Sequence, residues 1–471
     1  MSFVLNLDME KTTIAAIATP IGNGGVGIIR LSGSLALDIV LKCFTSKTSI
    51  KPRYATYGTI LTPDFSDDVI VIYFPGPRSF TGENVVEIQA HGGAFLLQKL
   101  VEHLLTLGAT LAQPGEFSKR AFLNGKISLD QAESIMDKIA AESESQLKAI
   151  SLVSQGALSK KLFLMEKELL NCLAQIETIL DQPDDDIDYS TVADLKSKIA
   201  SAGSDINSFI SSANEGRIMS SGIQIAVIGR PNVGKSSLFN AIINRDRSIV
   251  TNIEGTTTDT ITESILYKGV KLVFNDTAGQ RDIRSDTKTN EISKIEEFGI
   301  QRSRQVMEKA DIILAIFDGS CKPTKQDIKI LDLLDSFNNK QVIFVLNKSD
   351  LTSFNENTVN WDTPCGNTIF TSAVSHENIS KLKELVYSSI TESFQIHQAH
   401  DTLVITSTRH LNELALAYRA LVNALENING LSLDMIATDI TTALDHLGNI
   451  SGTNVSDAVI DEIFSNFCIG K

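Results

Sequence analysis

Near the middle of the chain, "GRPNVGKS" at residues 229–236 spaces two glycines, a lysine and a serine as a phosphate-binding loop requires. An apolar run precedes it and a helical pattern follows, so backbone N–H groups at a helix N-terminus would cradle a polyphosphate. Asn232, Val233, Gly234, Lys235, Ser236 and Ser237 form that cradle. The Lys235 ammonium would reach the outer phosphates, and the Ser236 hydroxyl would ligate Mg2+. Downstream, "NDTAG" supplies Asp276, Thr277, Ala278 and Gly279 as a phosphate-sensing turn, with Asp276 meeting the same ion through water. Between the two lies "TNIEGTTTD", rich in hydroxyls and backbone carbonyls. Its residues Thr251, Asn252, Ile253, Glu254, Gly255, Thr256 and Thr257 are expected around the nucleotide, Thr257 as the second Mg2+ ligand.

The base is read elsewhere. In "NKSD", residues 347–350, the Asp350 carboxylate can accept from both the ring N–H and the exocyclic amine of guanine, a pair that adenine lacks. Asn347 and Lys348 would hold that loop and cover the ring, and "TSA", with Ser372 and Ala373, matches a second guanine loop. Taken together the motifs predict a GTP site. Gln280, directly after "DTAG", could orient a water for hydrolysis.

The elements that must position these residues are legible in outline. Strand-like runs at "GIQIAVIG", "VKLVFNDT", "DIILAIFDGS" and "QVIFVLNKSD" alternate with helical stretches, which implies a parallel sheet. Before them, residues 1 to about 120 mix β-branched stretches with Gly and Pro turns, the texture of a compact mixed α/β domain, with one helix at "AFLLQKLVEHLLTLG" ending at Gly108. From about Ile127 the pattern becomes helical, with Leu129, Ala132, Ile135, Met136, Ile139 and Ala140 expected on one face. An acidic break, "DQPDDDIDYS", should divide two long helices, and the chain reads helical again after about residue 392. A nucleotide-binding domain inserted between two halves of a helical domain is the expected architecture.

Bulk properties narrow the class. A chain of 471 residues exceeds one ordinary core, and 42% hydrophobic with 21% charged residues describes a globular protein of two to four domains. No apolar run reaches the roughly 18 residues of a membrane helix, and the N-terminus has no signal or transit pattern; a cytoplasmic protein with no membrane partner is expected. Five scattered cysteines without a C-x-x-C suggest neither a disulfide framework nor a zinc site. A net charge of −15 argues against nonspecific nucleic-acid binding, which depends on Lys and Arg neutralising phosphates. "GNGGVG" satisfies G-x-G-x-x-G through Gly22, Gly24 and Gly27, but a strand-like "IIRLSG" follows where a dinucleotide site needs a helix; a tight turn is expected instead.

The nucleotide motifs, together with "GGVGIIRLSG", "FTGENVVEIQAHGG", "PGEFSKRAFLNGKISLDQAE" and the terminal "FCIGK", resemble the tRNA modification GTPase MnmE (TrmE) family over essentially the whole chain. The resemblance implies an N-terminal folate-binding and dimerisation domain at 1–122, a discontinuous helical domain at 123–215 and 393–471, and an inserted Ras-like P-loop GTPase domain at 216–392. It further implies a homodimer that binds a reduced folate, a tetrahydrofolate derivative, through Arg30, Glu87, Lys126 and Lys471. A pterin's N–H groups suit a carboxylate and a glutamyl tail suits Arg and Lys. With an FAD- and NADH-using partner subunit of the MnmG type, in a heterotetramer or larger assembly, such a protein would build an aminomethyl or carboxymethylaminomethyl group at C5 of the tRNA wobble uridine. Cys468 is then either a functional thiol near the one-carbon site or a small residue anchoring the tail.

For hydrolysis, the resemblance assigns the charge role of an arginine finger to K+, held by Asn232, Thr251, Ile253 and Thr256. The water-orienting residue maps onto Glu296 of "IEEFGI", with Glu297 adjacent, so that Gln280 assists at most. The chain departs from the family at Thr258, where arginine is usual, at Gln280, where leucine is usual, and in a linker before Glu296 longer by roughly two helical turns. The competing expectations are a regulatory GTPase of ribosome assembly without one-carbon chemistry and a dimeric scaffold that presents tRNA while hydrolysis drives conformational cycling.

Overall fold

The computed structural model describes residues 12–181, 189–243, 262–276, 304–337, 340–351, 367–394, 403–428 and 433–471. The chain forms two compact units, one of residues Met1–Ile139, Ser151–Ile206 and Asn412–Lys471, the other of Ala140–Ile150 and Asn207–Leu411.

The first unit opens with β1 (Ile14–Ile17), β2 (Val26–Ser32), β3 (Phe44–Thr45), β4 (Thr56–Leu61), β5 (Ser66–Phe74), β6 (Val85–His91) and β7 (Thr110–Leu111) in one sheet ordered β3-β4-β5-β6-β2-β1-β7. Side chains alternate along these strands, so Ile29, Leu31, Val86 and Ile88 enter the core while Arg30 and Glu87 lie on the other face. The antiparallel register sets Arg30 directly opposite Glu87. Helix Ala94–Thr106 closes the core side through Leu97, Leu100, Val101 and Leu104. Gly27 makes room for it, because a Cβ there would come within 2.3 Å of Leu97 Cδ1. The run after "GNGGVG" is indeed a strand, and Gly24 donates its N–H to Gly92 O at 2.8 Å in a turn too tight for a side chain at Gly92.

The helices of this unit pack by three-and-four spacing. Leu158, Leu162, Met165, Leu169, Cys172 and Ile176 form the buried stripe of helix Ala157–Asp181. It faces Leu433, Ile436, Ile440, Ala443, Leu447 and Ile450 of helix Leu433–Ser451. Each large apolar side chain so buried contributes about 1.5–3 kcal/mol. The acidic break expected between long helices lies largely outside the described residues, between Asp181 and Tyr189.

Helix Leu129–Ala140 corrects the expected stripe. Leu129 and Ala132 are buried, whereas Ile139 and Ala140 are exposed and Asp130 and Ser134 take the inner positions. Polar satisfaction explains the shift: Asp130 accepts from the Ser159 hydroxyl at 2.7 Å, and Ser134 Oγ donates to Gln131 O at 2.6 Å. The helix ends at Ala140. A new one, Glu144–Ser154, starts at a capping box in which Ser143 Oγ accepts from Gln146 N while Gln146 Oε1 accepts from Ser143 N.

In the second unit, β8 (Ile223–Ile228), β9 (Thr262–Tyr267), β10 (Val270–Asp276), β11 (Ile312–Asp318), β12 (Gln341–Asn347) and β13 (Asn367–Phe370) form a sheet ordered β13-β12-β11-β8-β10-β9. All neighbours are parallel except β9 and β10. That hairpin turns at Lys268 and Gly269, both at positive φ, as a two-residue turn between twisted strands requires. β11 is buried along its whole length, and cores cover both faces of the sheet. The expected combination of a mixed N-terminal sheet, two separated helical stretches and an inserted P-loop sheet is the observed fold class.

Candidate functional site

The phosphate loop leaves the buried end of β8 and enters helix Lys235–Ile243. Asn232 (φ 67°) and Gly234 (φ 96°) take left-handed conformations that turn the chain around the helix N-terminus. A side chain at Gly234 would meet Asn347 Nδ2 at 2.3 Å, so only glycine lets the two loops approach. Asn347 is the brace between them. Its Nδ2 donates to Val233 O at 2.9 Å, and its Oδ1 accepts from Ala373 N at 3.2 Å. Lys235 Nζ donates to the carbonyls of Gly229 and Arg230 at 2.8 and 2.9 Å. Ser236 and Ser237 are exposed on the helix's first turn, and Val233 is fully buried under the loop. A helix N-terminus with free hydroxyls and an ammonium held by loop carbonyls suits a Mg2+-bound polyphosphate.

The base-reading residues converge from two strand ends. Ser372, itself buried, donates its hydroxyl to Asp350 Oδ1 at 2.6 Å and accepts from Ser375 N at 3.0 Å. Asp350 remains exposed, its other lone pairs available to a ring N–H and an amine. Lys348 (φ 70°) bonds Asp318 Oδ2 at 2.6 Å. Burial opposes the charge on Asp318, yet the Lys348 ammonium and the Ser320 hydroxyl and amide outweigh it and hold its carboxyl below its ordinary value. Arg230 of the phosphate loop is anchored by Asp327 at 3.1 Å and Asp318 at 3.7 Å. No motif flagged Asp318. Its position after the buried run of β11 is nevertheless equivalent to that of Asn347 after β12, its register partner.

Asp276 closes β10 opposite Val227, placing its backbone at the same sheet edge. These positions all follow carboxyl ends of parallel strands, where open α/β sheets bind ligands. Thr251, Asn252, Ile253, Glu254, Gly255, Thr256, Thr257, Thr258, Thr277, Ala278, Gly279, Gln280, Glu296 and Glu297 lie outside the described residues.

A second constellation occupies the first unit. Arg30 donates from Nε and Nη2 to Glu87 Oε1 at 3.0 and 2.8 Å, and from Nη1 to Gly470 O at 3.4 Å. The tail therefore docks on the residues that the resemblance singled out. Gly115 N donates to Cys468 O, while Phe464 and Phe467 bury themselves beside Leu129 and Ala132. Phe80 and Phe117 flank the Arg30 guanidinium at 5.7 and 5.8 Å, within cation–π range. Lys126 is apart from this pair, its Nζ donating to Pro77 O at 3.0 Å, and Lys471 is half-buried at the end of the tail. A network that sequence patterns gave no sign of supports the site: Ser32 Oγ donates to Glu83 at 2.7 Å, and buried Arg120 joins Glu83, Glu116 and Thr12. Among the cysteines, burial pushes the Cys43 thiol up to about 11 and also raises Cys172, whereas Cys321 and Cys468 are exposed.

Comparison with known proteins bears on both constellations. The family model described as GTP-binding protein TrmE N-terminus matches residues 13–126, and that of the MnmE helical domain matches residues 129–468. The tRNA modification GTPase MnmE of Alkaliphilus oremlandii is 37% identical over 469 residues, covering 98% of this chain and 99% of its own. The chain belongs to the tRNA modification GTPase MnmE family. MnmE proteins of Clostridioides difficile, 37% identical with 98% and 99% coverage, and of Natranaerobius thermophilus, 38% identical with 98% and 100%, agree with it. The MnmE likeness thus takes in the phosphate loop and the base-reading loops. Among the described residues no helix is long and apolar enough to cross a membrane.

Proposed function

We propose that this MnmE-family chain hydrolyses GTP and couples hydrolysis to one-carbon modification of tRNA. The Asp350–Ser372 pair, on the loops that Asn347 ties to the phosphate loop, carries the nucleotide reading, because it offers a carboxylate to guanine's two donors. Mg2+ would be held by Ser236 and Thr257, and K+ by Asn232, Thr251, Ile253 and Thr256. Glu296 would orient the attacking water. The Arg30–Glu87 pair beneath the tail carries the folate reading, with Lys126 and Lys471 as further contacts and exposed Cys468 of the tail as the thiol for the one-carbon chemistry. As a cytoplasmic homodimer, with an FAD-dependent subunit of the MnmG type, the protein would form an aminomethyl or carboxymethylaminomethyl group at C5 of the wobble uridine.

Two measurements test this. Potassium-stimulated GTP turnover should collapse in Glu296→Ala and persist in Gln280→Ala; loss only in the latter reverses the assignment. Tetrahydrofolate should bind the full chain and fail to bind Glu87→Ala. Absence of binding to the parent chain would leave a GTPase without one-carbon chemistry, of the ribosome-assembly type.

A further inference from the structure

We propose that the cleft between Arg53 and Arg78 is a carboxylate subsite for the γ-linked glutamyl extension of a polyglutamylated reduced folate. This rests on the folate reading above. The cleft, about 350 Å3, is lined by Pro52, Arg53, Pro75, Gly76, Pro77 and Arg78. Three prolines stiffen its walls. Arg53 is held at φ 65° by its N–H to Tyr73 O at 2.7 Å, and its guanidinium donates to the Arg78 carbonyl. Gly76 N donates to Asn84 Oδ1 at 3.1 Å, which ties the opposite wall to the sheet. The shape is therefore set before a ligand arrives, which lowers the entropy of binding one.

Charge identifies the ligand class. Among the described residues neither guanidinium forms an ion pair with a carboxylate, although the chain carries −15 overall and the less exposed Arg30, Arg120 and Arg230 do. Two exposed guanidinium forks in one cleft suit successive carboxylates. Position identifies the extension. Pro77, in the cleft wall, accepts from Lys126, and Phe80 of the same loop lies over Arg30. Phe80 lies three positions beyond Pro77, a reach of at most about 11 Å. The Arg30–Glu87 pair, Lys126 and the cleft thus lie beside one strap of chain, residues 77–80, in the order that a pterin, a first glutamate and its γ-linked successors would follow. A nucleic-acid backbone would call for a longer basic track with stacking faces, which a cleft of this size does not supply.

The test compares tetrahydrofolate monoglutamate and pentaglutamate binding to the full chain by titration calorimetry at low salt. The parent should bind pentaglutamate about tenfold more tightly, the sum of a few exposed charge pairs. The Arg53→Gln, Arg78→Gln double variant should lose that preference while its monoglutamate affinity stays within about twofold of the parent. The Arg53→Lys, Arg78→Lys variant, with charge but no fork, should keep part of it, and circular dichroism should show all three chains folded. Equal affinity of the parent for both ligands overturns the proposal, as does a parallel loss of both in the glutamine variant. A glutamine variant that weakens tRNA binding yet keeps the chain-length preference would make the cleft a nucleic-acid contact instead. If neither folate binds the parent, the folate reading itself falls and takes the inference with it.

Discussion

Asp350 keeps one carboxylate oxygen on the Ser372 hydroxyl and leaves the rest of its acceptor capacity facing outward. In Asp350→Asn the side chain would present an amide donor where guanine also presents donors, while xanthine offers a carbonyl. Two charge-assisted bonds of about 1.5–3 kcal/mol each would be lost, so GTP affinity should fall by at least about a hundredfold and preference should move toward xanthosine triphosphate. Competition binding with the two nucleotides measures this; an unchanged preference would remove Asp350 as the base reader. The residue types in "GRPNVGKS" and "NKSD" could be read from sequence because each performs its task through its own chemistry. The bracing role of the Asn347 amide toward Val233 could not. It depends on an approach of two loops 114 positions apart that only Gly234 permits.

Elements with a repeating apolar period were legible, and those fixed by polar pairing were not. Helix Ala94–Thr106 follows its pattern, whereas Leu129–Ala140 buries Asp130 and Ser134 because Ser159 and Gln131 satisfy them. The terminal tail has no period at all, and its place is set by backbone geometry. Gly470 sits at φ 93°, and a Cβ there would come within 2.2 Å of Ile17 O on β1. Gly470→Ala should therefore strain the tail by at least about 1–2 kcal/mol from the left-handed conformation alone, before the clash is counted. The expected result is a tail released from Arg30: carboxypeptidase should remove Lys471 several-fold faster, and tetrahydrofolate should bind more weakly while GTP affinity holds. Unaltered release of Lys471 would mean that the tail is not anchored through Gly470.

At the scale of the whole molecule, the chain closes its first unit with segments more than 400 residues apart, as the 440-position separation of Arg30 and Gly470 shows. Sequence texture marked the inserted sheet, because alternating strands and helices repeat locally. It could not show that the N-terminal sheet and the terminal helices share a unit, since a long-range contact leaves no local period. The division has a thermodynamic consequence. The described nucleotide-site residues, from Gly229 to Ala373, all belong to the second unit, and Arg30, Glu87, Lys126 and the tail all belong to the first. A ligand that binds only the folded state stabilises by mass action, by about 2.7 kcal/mol at a hundredfold excess over its Kd. Mg2+-GDP at that excess should slow amide exchange in β8 and β12 by up to about a hundredfold, while β2 and β6 change little. Tetrahydrofolate should do the reverse, protecting β2, β6 and residues 464–471. Hydrogen exchange followed by mass spectrometry on the full chain separates these outcomes. Equal protection of β2 and β8 by GDP alone would show that the two units open as one, and that the nucleotide's binding energy reaches the tail.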